Sequence, residues 1–202
     1  MRPRFRFQSV FTLAIAVVFA SALGAYAQEN SAIPLLPERL GPMESLLWSE
    51  RGAMRRVFDF PLTLEGREKE LGTRRTFLGL HQLGGFATFA AMAATIYIGQ
   101  KVYNGEEDLS QIHKAMAFTT VGTYFTTASL AAFAPPPLIR RKQWSTVSTH
   151  KFLANFHLAG MLAMPVLGLL VKDGRDDLRA THMAVGYATL TAFGAAMLVV
   201  TF

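Results

Sequence analysis

Four histidines lie near the N-terminal ends of four long apolar segments of this chain: His81, His113, His150 and His182. Ionisable side chains in membrane-length segments are unfavourable and usually serve a function. A neutral imidazole is a common metal ligand, so histidines that face each other from two helices can hold one metal between them. The interval from His81 to His113 equals the interval from His150 to His182. The spacing therefore predicts two pairs of ligands.

The elements that must position these histidines are four apolar segments of membrane length. They run over residues 76–100, 112–134, 147–171 and 180–202. Because the loops between them are short, neighbouring segments should be antiparallel, which predicts an all-α, up-and-down four-helix bundle over residues 76–202. The prolines at 135–137 end the second segment, and Pro165 is expected to kink the third.

The amino-acid composition limits which cofactors and partners this chain can have. Of 202 residues, 51% are hydrophobic, and they come in blocks. The absence of cysteine excludes disulfides, thiolate ligands, iron–sulfur clusters and covalent c-type haem. The net charge is +6, but the basic residues flank the apolar segments. That distribution favours membrane edges and partner docking over nucleic-acid binding.

The N-terminal region is typical of a secreted or exported chain. Residues 1–27 combine three early arginines, an apolar stretch and an Ala25-Tyr26-Ala27 cleavage motif, which predicts a signal peptide; an uncleaved anchor helix is the alternative. Residues 28–75 are polar, with eight basic and eight acidic residues, and should form a periplasmic segment. Residues 43–60 are expected to form an amphipathic helix on a membrane or partner surface, or an ordinary connecting helix.

An internal repeat relates the two halves of the apolar region at one constant offset, without a gap. A short acidic turn that begins with glycine precedes the histidine in each half, at the same interval. The turn before His113 is Gly105-Glu106-Glu107-Asp108-Leu109, and the turn before His182 is Gly174-Arg175-Asp176-Asp177-Leu178. His81 and His150 match at the same offset. The repeat predicts a pseudo-twofold bundle in which His81 and His150 share one level and His113 and His182 another. The levels should be roughly 24 Å apart at the rise of an α-helix.

Two level pairs of histidines favour two non-covalent b haems, each with its iron between two imidazoles. His81 would pair with His150, and His113 with His182. His157 is a fifth candidate, because it lies two helical turns after His150 on nearly the same helix face. Zinc or iron without porphyrin would need more ligands, and no Asp or Glu lies inside the four apolar segments. A chlorophyll-type pigment remains the alternative to haem.

Small residues near the histidines would admit a flat macrocycle, or would instead provide contacts between helices. They are Gly84, Gly85, Ala115, Gly122, Gly160 and Gly186.

In histidine placement and helix order, residues 77–202 resemble the cytochrome b561 type of membrane cytochrome. The resemblance implies four core helices with two b haems, each held by histidines of alternate helices, and transmembrane electron transfer. Members of that family commonly have further flanking helices, which are not predicted in this chain. Members linked to ascorbate use basic residues beside the outer haem, and Arg140, Arg141 and Lys142 are similar in kind.

The signal peptide predicts a multi-pass protein of the bacterial inner membrane, with the N-terminal segment, His81 and His150 toward the periplasm. The positive-inside rule opposes this orientation. Twelve Lys and Arg residues lie on the predicted outer side, and only five lie in the inner loops. Residues 140–142 then form an unbalanced basic loop, which predicts docking of an acidic redox partner or of haem propionates, or a solvated loop.

The leading hypothesis is an electron-transfer subunit rather than a stand-alone catalyst. Electrons would pass between a quinol or other donor and a periplasmic redox partner, and the chain would act alone or in a larger membrane complex. The alternative is a non-redox structural or pigment-binding subunit. A transporter is disfavoured because the apolar segments lack acidic residues for ion coupling.

Overall fold

The structure is a computed structural model that describes residues 34–140 and 143–201. The predicted signal peptide, Arg141 and Lys142 lie outside the described residues. The described chain is all-helical and contains no strand. Its helices are α1 (Pro42–Trp48), α2 (Ala53–Val57), α3 (Leu64–Tyr103), α4 (Ser110–Ala132), α5 (Thr146–Lys172) and α6 (Arg179–Thr201). One-turn 3-10 helices, Glu107–Leu109 and Asp176–Leu178, lead into α4 and α6.

Helix α3 is much longer than the apolar segment predicted for it. It has 40 residues and begins at Leu64, because the Thr63 hydroxyl accepts a hydrogen bond from the Gly66 amide (3.1 Å) and caps the first turn. At 1.5 Å per residue the helix is about 60 Å long, roughly twice the hydrocarbon thickness of a membrane. The boundary predicted between residues 75 and 76 therefore falls inside one continuous helix.

In the described part of the chain, three helical stretches are long and apolar enough to cross a membrane: Leu64–Tyr103, Thr146–Lys172 and Asp176–Thr201. Helix α4 has the length to cross, at 23 residues, but its five threonines make it less apolar. The described chain therefore fits a multi-pass membrane protein, and a span by α4 stays a prediction. Helix α5 continues through Pro165.

The long helices pack in hairpin pairs. Helix α3 packs along α4, and α5 packs along α6; α3 also contacts α6. Among the described helices, the backbones of α4 and α5 approach each other at few points. The two hairpin turns contain Gly105 (φ +106°) and Gly174 (φ +94°), in a left-handed conformation that favours glycine. A core of Met92, Tyr124, Met161 and Phe193 lies where the four helices meet.

The single helix predicted over residues 43–60 is instead two short helices. The chain turns sharply before α2, and a Cβ added at Gly52 would lie 2.3 Å from the Leu47 carbonyl oxygen. Trp48 is fully buried, and its indole nitrogen donates to the Phe133 carbonyl (3.0 Å) in the loop after α4. Residues 42–63, here called the cap, therefore pack against one end of the long helices.

A buried ion cluster connects the cap to α3. Arg55 of the cap and Arg67 of α3 both contact the carboxylate of Glu70, whose side chain is inaccessible to solvent. Arg55 also donates to the Trp48 carbonyl (2.9 Å), and Arg67 donates to the Pro136 carbonyl (3.3 Å). The cluster joins the cap, the start of α3 and the proline loop into one unit.

Candidate functional site

The imidazoles of His81 and His150, here called the first pair, face each other from α3 and α5. Their ring centroids are 6.2 Å apart, and the ring planes are nearly perpendicular, at 86°. The Nδ1 atom of His81 lies 2.8 Å from the Thr127 carbonyl oxygen of α4. The Nδ1 atom of His150 lies 2.8 Å from the Ala196 carbonyl oxygen of α6. Each ring is therefore held by the helix that pairs with its own.

These hydrogen bonds determine the tautomer of both rings. A carbonyl oxygen can only accept, so Nδ1 must carry the proton in each case. In the neutral ring, Nε2 then has a free lone pair. Metal-binding histidines usually donate their other ring N–H to a carbonyl or carboxylate, which orients the ring and makes the ligand more basic. The first pair has this arrangement on both sides.

His113 of α4 and His182 of α6, here called the second pair, repeat the geometry at the other level. Their centroids are 6.3 Å apart, with the planes at 85°. The Nδ1 atom of His113 lies 3.1 Å from the Thr95 carbonyl oxygen. The Nδ1 atom of His182 is buried and has no hydrogen-bond partner among the described residues. The second pair is thus oriented firmly on one side only.

The spacing of both pairs fits one metal ion between two imidazoles. A metal–imidazole bond is about 2 Å long and the ring centre lies about 1 Å beyond the nitrogen, so two axial imidazoles have centroids about 6 Å apart. A direct hydrogen bond between the two imidazoles of a pair would bring their centroids closer together. The described residues contain no such hydrogen bond in either pair. No group of three or more His, Cys, Asp or Glu side chains in the described chain could hold a metal ion. A porphyrin, which supplies the equatorial ligands itself, needs only two axial side chains.

Small residues follow the four paired histidines along their helices. Each histidine is followed by a glycine or alanine four residues later, on the same helix face. For His81, His113, His150 and His182 these residues are Gly85, Ala117, Ala154 and Gly186, respectively. Two further glycines lie close to the rings of the second pair. A Cβ added at Gly99 would lie 2.7 Å from His113 Cε1, and a Cβ added at Gly168 would lie 3.3 Å from His182 Cε1. These two glycines were not among the predicted site residues, although they too match each other at the offset of the repeat.

The predicted small residues have different surroundings. An added Cβ would lie 2.5 Å from the Thr127 hydroxyl at Gly84 and 2.0 Å from the Thr189 hydroxyl at Gly160. Both glycines therefore serve contacts between helices, as the alternative interpretation held. Ala115 and Gly122 are exposed. Gly85 and Gly186 are buried, and each lies four residues after a paired histidine.

His157 does not face His81. It is buried, and its Nδ1 atom lies 2.8 Å from the hydroxyl of Tyr124 on α4. Its ring packs on Phe193, with centroids 4.8 Å apart. Neither aromatic residue was singled out from the sequence. The structure thus places His150, and not His157, opposite His81.

The predicted basic loop is only partly described. Arg140 is paired with Glu44 of the cap, so the prediction of an unbalanced charge at this residue is wrong. Arg74 and Lys151 were not predicted. Arg74 precedes His81 by two helical turns and donates to the Pro135 carbonyl, while Lys151 follows His150 directly. Neither has a carboxylate partner in the described part of the chain, so both cations are free to pair with an anion.

Comparison with known proteins gives no match to any protein family, curated protein or solved structure.

Proposed function

We propose that this chain is a di-haem b-type membrane cytochrome. It would pass electrons between a quinol or other donor and a periplasmic redox partner, either alone or as a subunit of a larger complex. The observation that carries the proposal is the presence of two histidine pairs, with centroids 6.2 and 6.3 Å apart and near-perpendicular planes. Such spacing, found twice with a proton-bearing Nδ1 on three of the four rings, is what axial ligation requires.

The chain's own residues would perform distinct tasks around each haem. The carbonyls of Thr127, Ala196 and Thr95 would hold three imidazoles with Nε2 directed at the metal. Arg74 and Lys151 would neutralise propionate carboxylates at the first pair. The apolar helix faces would exclude water. When bound, the haem iron would supply a reversible one-electron change, whose potential depends on these ligands and on burial.

We also propose that the two hairpins are an internal repeat and that the chain is similar to cytochrome b561. Matched hydrogen bonds and matched turns in the two hairpins support the repeat. The first-pair hydrogen bonds, His81 to Thr127 and His150 to Ala196, span the same 46 residues. The two hairpin turns share a left-handed glycine and a 3-10 helix. The order of histidines along the four helices supports the likeness.

The proposed location is the bacterial inner membrane, with the cap and first pair on the periplasmic side and residues 1–27 as signal peptide. The excess of basic residues on that side opposes the positive-inside rule, but several of these residues have structural partners. Arg55 and Arg67 share Glu70 in the interior, and Arg140 pairs with Glu44. These cations serve the folded cap rather than a membrane-edge loop.

The decisive experiment is a pyridine haemochrome assay on the full chain, purified in detergent from haem-replete cells. We expect a reduced b-type spectrum and about two haems per chain, as two axial pairs require. The matched control is the double variant His81→Ala with His113→Ala, which removes one ligand from each pair and should be haem-free.

A colourless wild-type protein would refute the proposal. Extraction of a chlorophyll-type pigment in place of haem would favour the pigment-binding alternative. Haem retained in full by the double variant would show that other residues bind it.

A further inference from the structure

The hydrogen bond between Tyr124 and His157 connects the two hairpins through their interior. The phenol oxygen and Nδ1 are 2.8 Å apart, and the two side chains are 3% and 8% exposed. Buried polar groups are costly unless they are paired, so each side chain depends on the other for its hydrogen bond. Because the backbones of α4 and α5 approach each other at few points, this side-chain bond is a direct connection between the two helices.

The position of the bond relates it to the first pair. Tyr124 lies one helical turn from Thr127, whose carbonyl orients the ring of His81. His157 lies two turns from His150 on α5, about 10 Å along the helix. The bond therefore connects the helix that orients one ring of the pair to the helix that carries the other.

Tyr124 and His157 both differ from the residues at the corresponding positions of the other half of the repeat. At the offset that relates His81 to His150, His157 corresponds to Thr88 and Tyr124 corresponds to Phe193. Thr88 satisfies its hydroxyl within its own helix, by donating to the Gly84 carbonyl (2.7 Å). Two copies of one hairpin would thus have no such bond, and the two departures together create it. Phe193 completes the cluster by packing against both rings, at 6.0 Å from Tyr124 and 4.8 Å from His157.

We propose that Tyr124 and His157 are positioning residues that hold α4 and α5 at a fixed separation and so set the gap between His81 and His150. This inference rests on the proposed function, because the gap matters only if the first pair holds a haem. His157 acts through Tyr124 and not as an axial ligand. The second pair, which is farther along the helices, does not depend on this bond.

The first arm of the test uses haem-free protein. The chain has no cysteine, so the exposed Thr126→Cys and Asn155→Cys substitutions on α4 and α5 allow two spin labels to be placed uniquely. The distance distribution between the labels is compared with and without Tyr124→Phe, which removes only the hydroxyl. We expect the distribution to broaden when the hydroxyl is lost. An unchanged distribution would overturn the inference.

The second arm uses the haem-loaded protein. Tyr124→Phe and His157→Thr introduce the residues found at the corresponding repeat positions, and Thr88→Ser is the matched control that keeps a hydroxyl. We expect both variants to retain two haems, with affinity lowered about tenfold at the first pair only. The low-spin electron paramagnetic resonance signal of that haem, which reports the angle between the imidazole planes, should shift.

Each contrary outcome identifies the failing idea. Complete loss of one haem in His157→Thr but not in Tyr124→Phe would make His157 a ligand and overturn its positioning role. Unchanged affinity and an unchanged resonance signal in both variants would overturn the inference and leave the proposed function standing. A haem-free wild type would refute the proposed function, while the spin-label arm would still test the connection between α4 and α5.

Discussion

The two histidine pairs have nearly the same ring geometry but different surroundings. Both rings of the first pair donate to backbone carbonyls at 2.8 Å. In the second pair, His113 has a longer bond of 3.1 Å and the buried Nδ1 of His182 has no partner among the described residues. In addition, glycines of α3 and α5 lie close to the rings of the second pair.

This difference indicates that similar ligand spacing can be supported in two ways. At the first pair, hydrogen bonds to backbone carbonyls orient both rings. At the second pair, close packing against Gly99 and Gly168 replaces part of the hydrogen bonding. Because partners of metal-bound histidines affect metal affinity, the two levels should differ in how tightly they hold haem.

Under the proposed function, the largest effects should come from the four paired histidines. His150→Ala should remove the haem of the first pair, and His182→Ala that of the second pair, leaving one haem per chain in each variant. His157→Ala should retain both, since its ring faces Tyr124. Haem content by pyridine haemochrome checks all three variants. Loss of a haem in His157→Ala, with none lost in His150→Ala, would reverse the ligand assignment on α5.

The next largest effect concerns the buried ion cluster between the cap and α3. Glu70→Gln would leave Arg55 and Arg67 buried without their shared carboxylate, which should cost about 3–5 kcal/mol. Thermal unfolding in detergent and proteolysis of the cap measure the loss, and haem loss should be confined to the first pair. Glu65→Gln, which breaks only the exposed pair with Lys69, is the control and should change little. Equal effects from the two variants would contradict a structural role for the buried cluster.

Variants that keep only one histidine pair allow the haem affinities of the two pairs to be compared directly. His113→Ala leaves only the first pair, and His81→Ala leaves only the second. Titration of each haem-free variant with haem should give an affinity about 10- to 100-fold higher for the first pair, because the His182 imidazole lacks an acceptor at Nδ1 among the described residues. Equal affinities would show that packing orients His182 as well as a hydrogen bond would.

The smallest predicted effect tests that packing. Gly99→Ala would bring a methyl group within 2.7 Å of His113, whereas Gly168→Ala leaves 3.3 Å to His182. We expect about tenfold weaker haem binding at the second pair in the first variant, or about 1.4 kcal/mol, and a smaller loss in the second variant. Gly122→Ala, where an added methyl group meets nothing within 4 Å, is the control. Equal binding by Gly99→Ala and Gly122→Ala would contradict a packing role for Gly99.

Much of the helical architecture was predictable because apolar length and helix-breaking residues are local properties. The predicted segments at 112–134, 147–171 and 180–202 agree with α4, α5 and α6 to within two residues at the described ends. The start of α3 was not predictable from hydropathy, because its first turns are polar and are set by the Thr63 cap and by Glu70 in the interior. The break between α1 and α2 likewise depends on a close backbone approach at Gly52.

The sequence by itself determined which residues can ligate a metal and which helix carries each of them. The equal intervals between histidines and the matched turns predict the pairs without any tertiary information. Only the tertiary structure decided what holds three of the four rings, since Thr127, Ala196 and Thr95 contribute backbone carbonyls that every residue type possesses. It also placed His157 against Tyr124, because the choice between two histidines on one helix face depends on a partner from another helix.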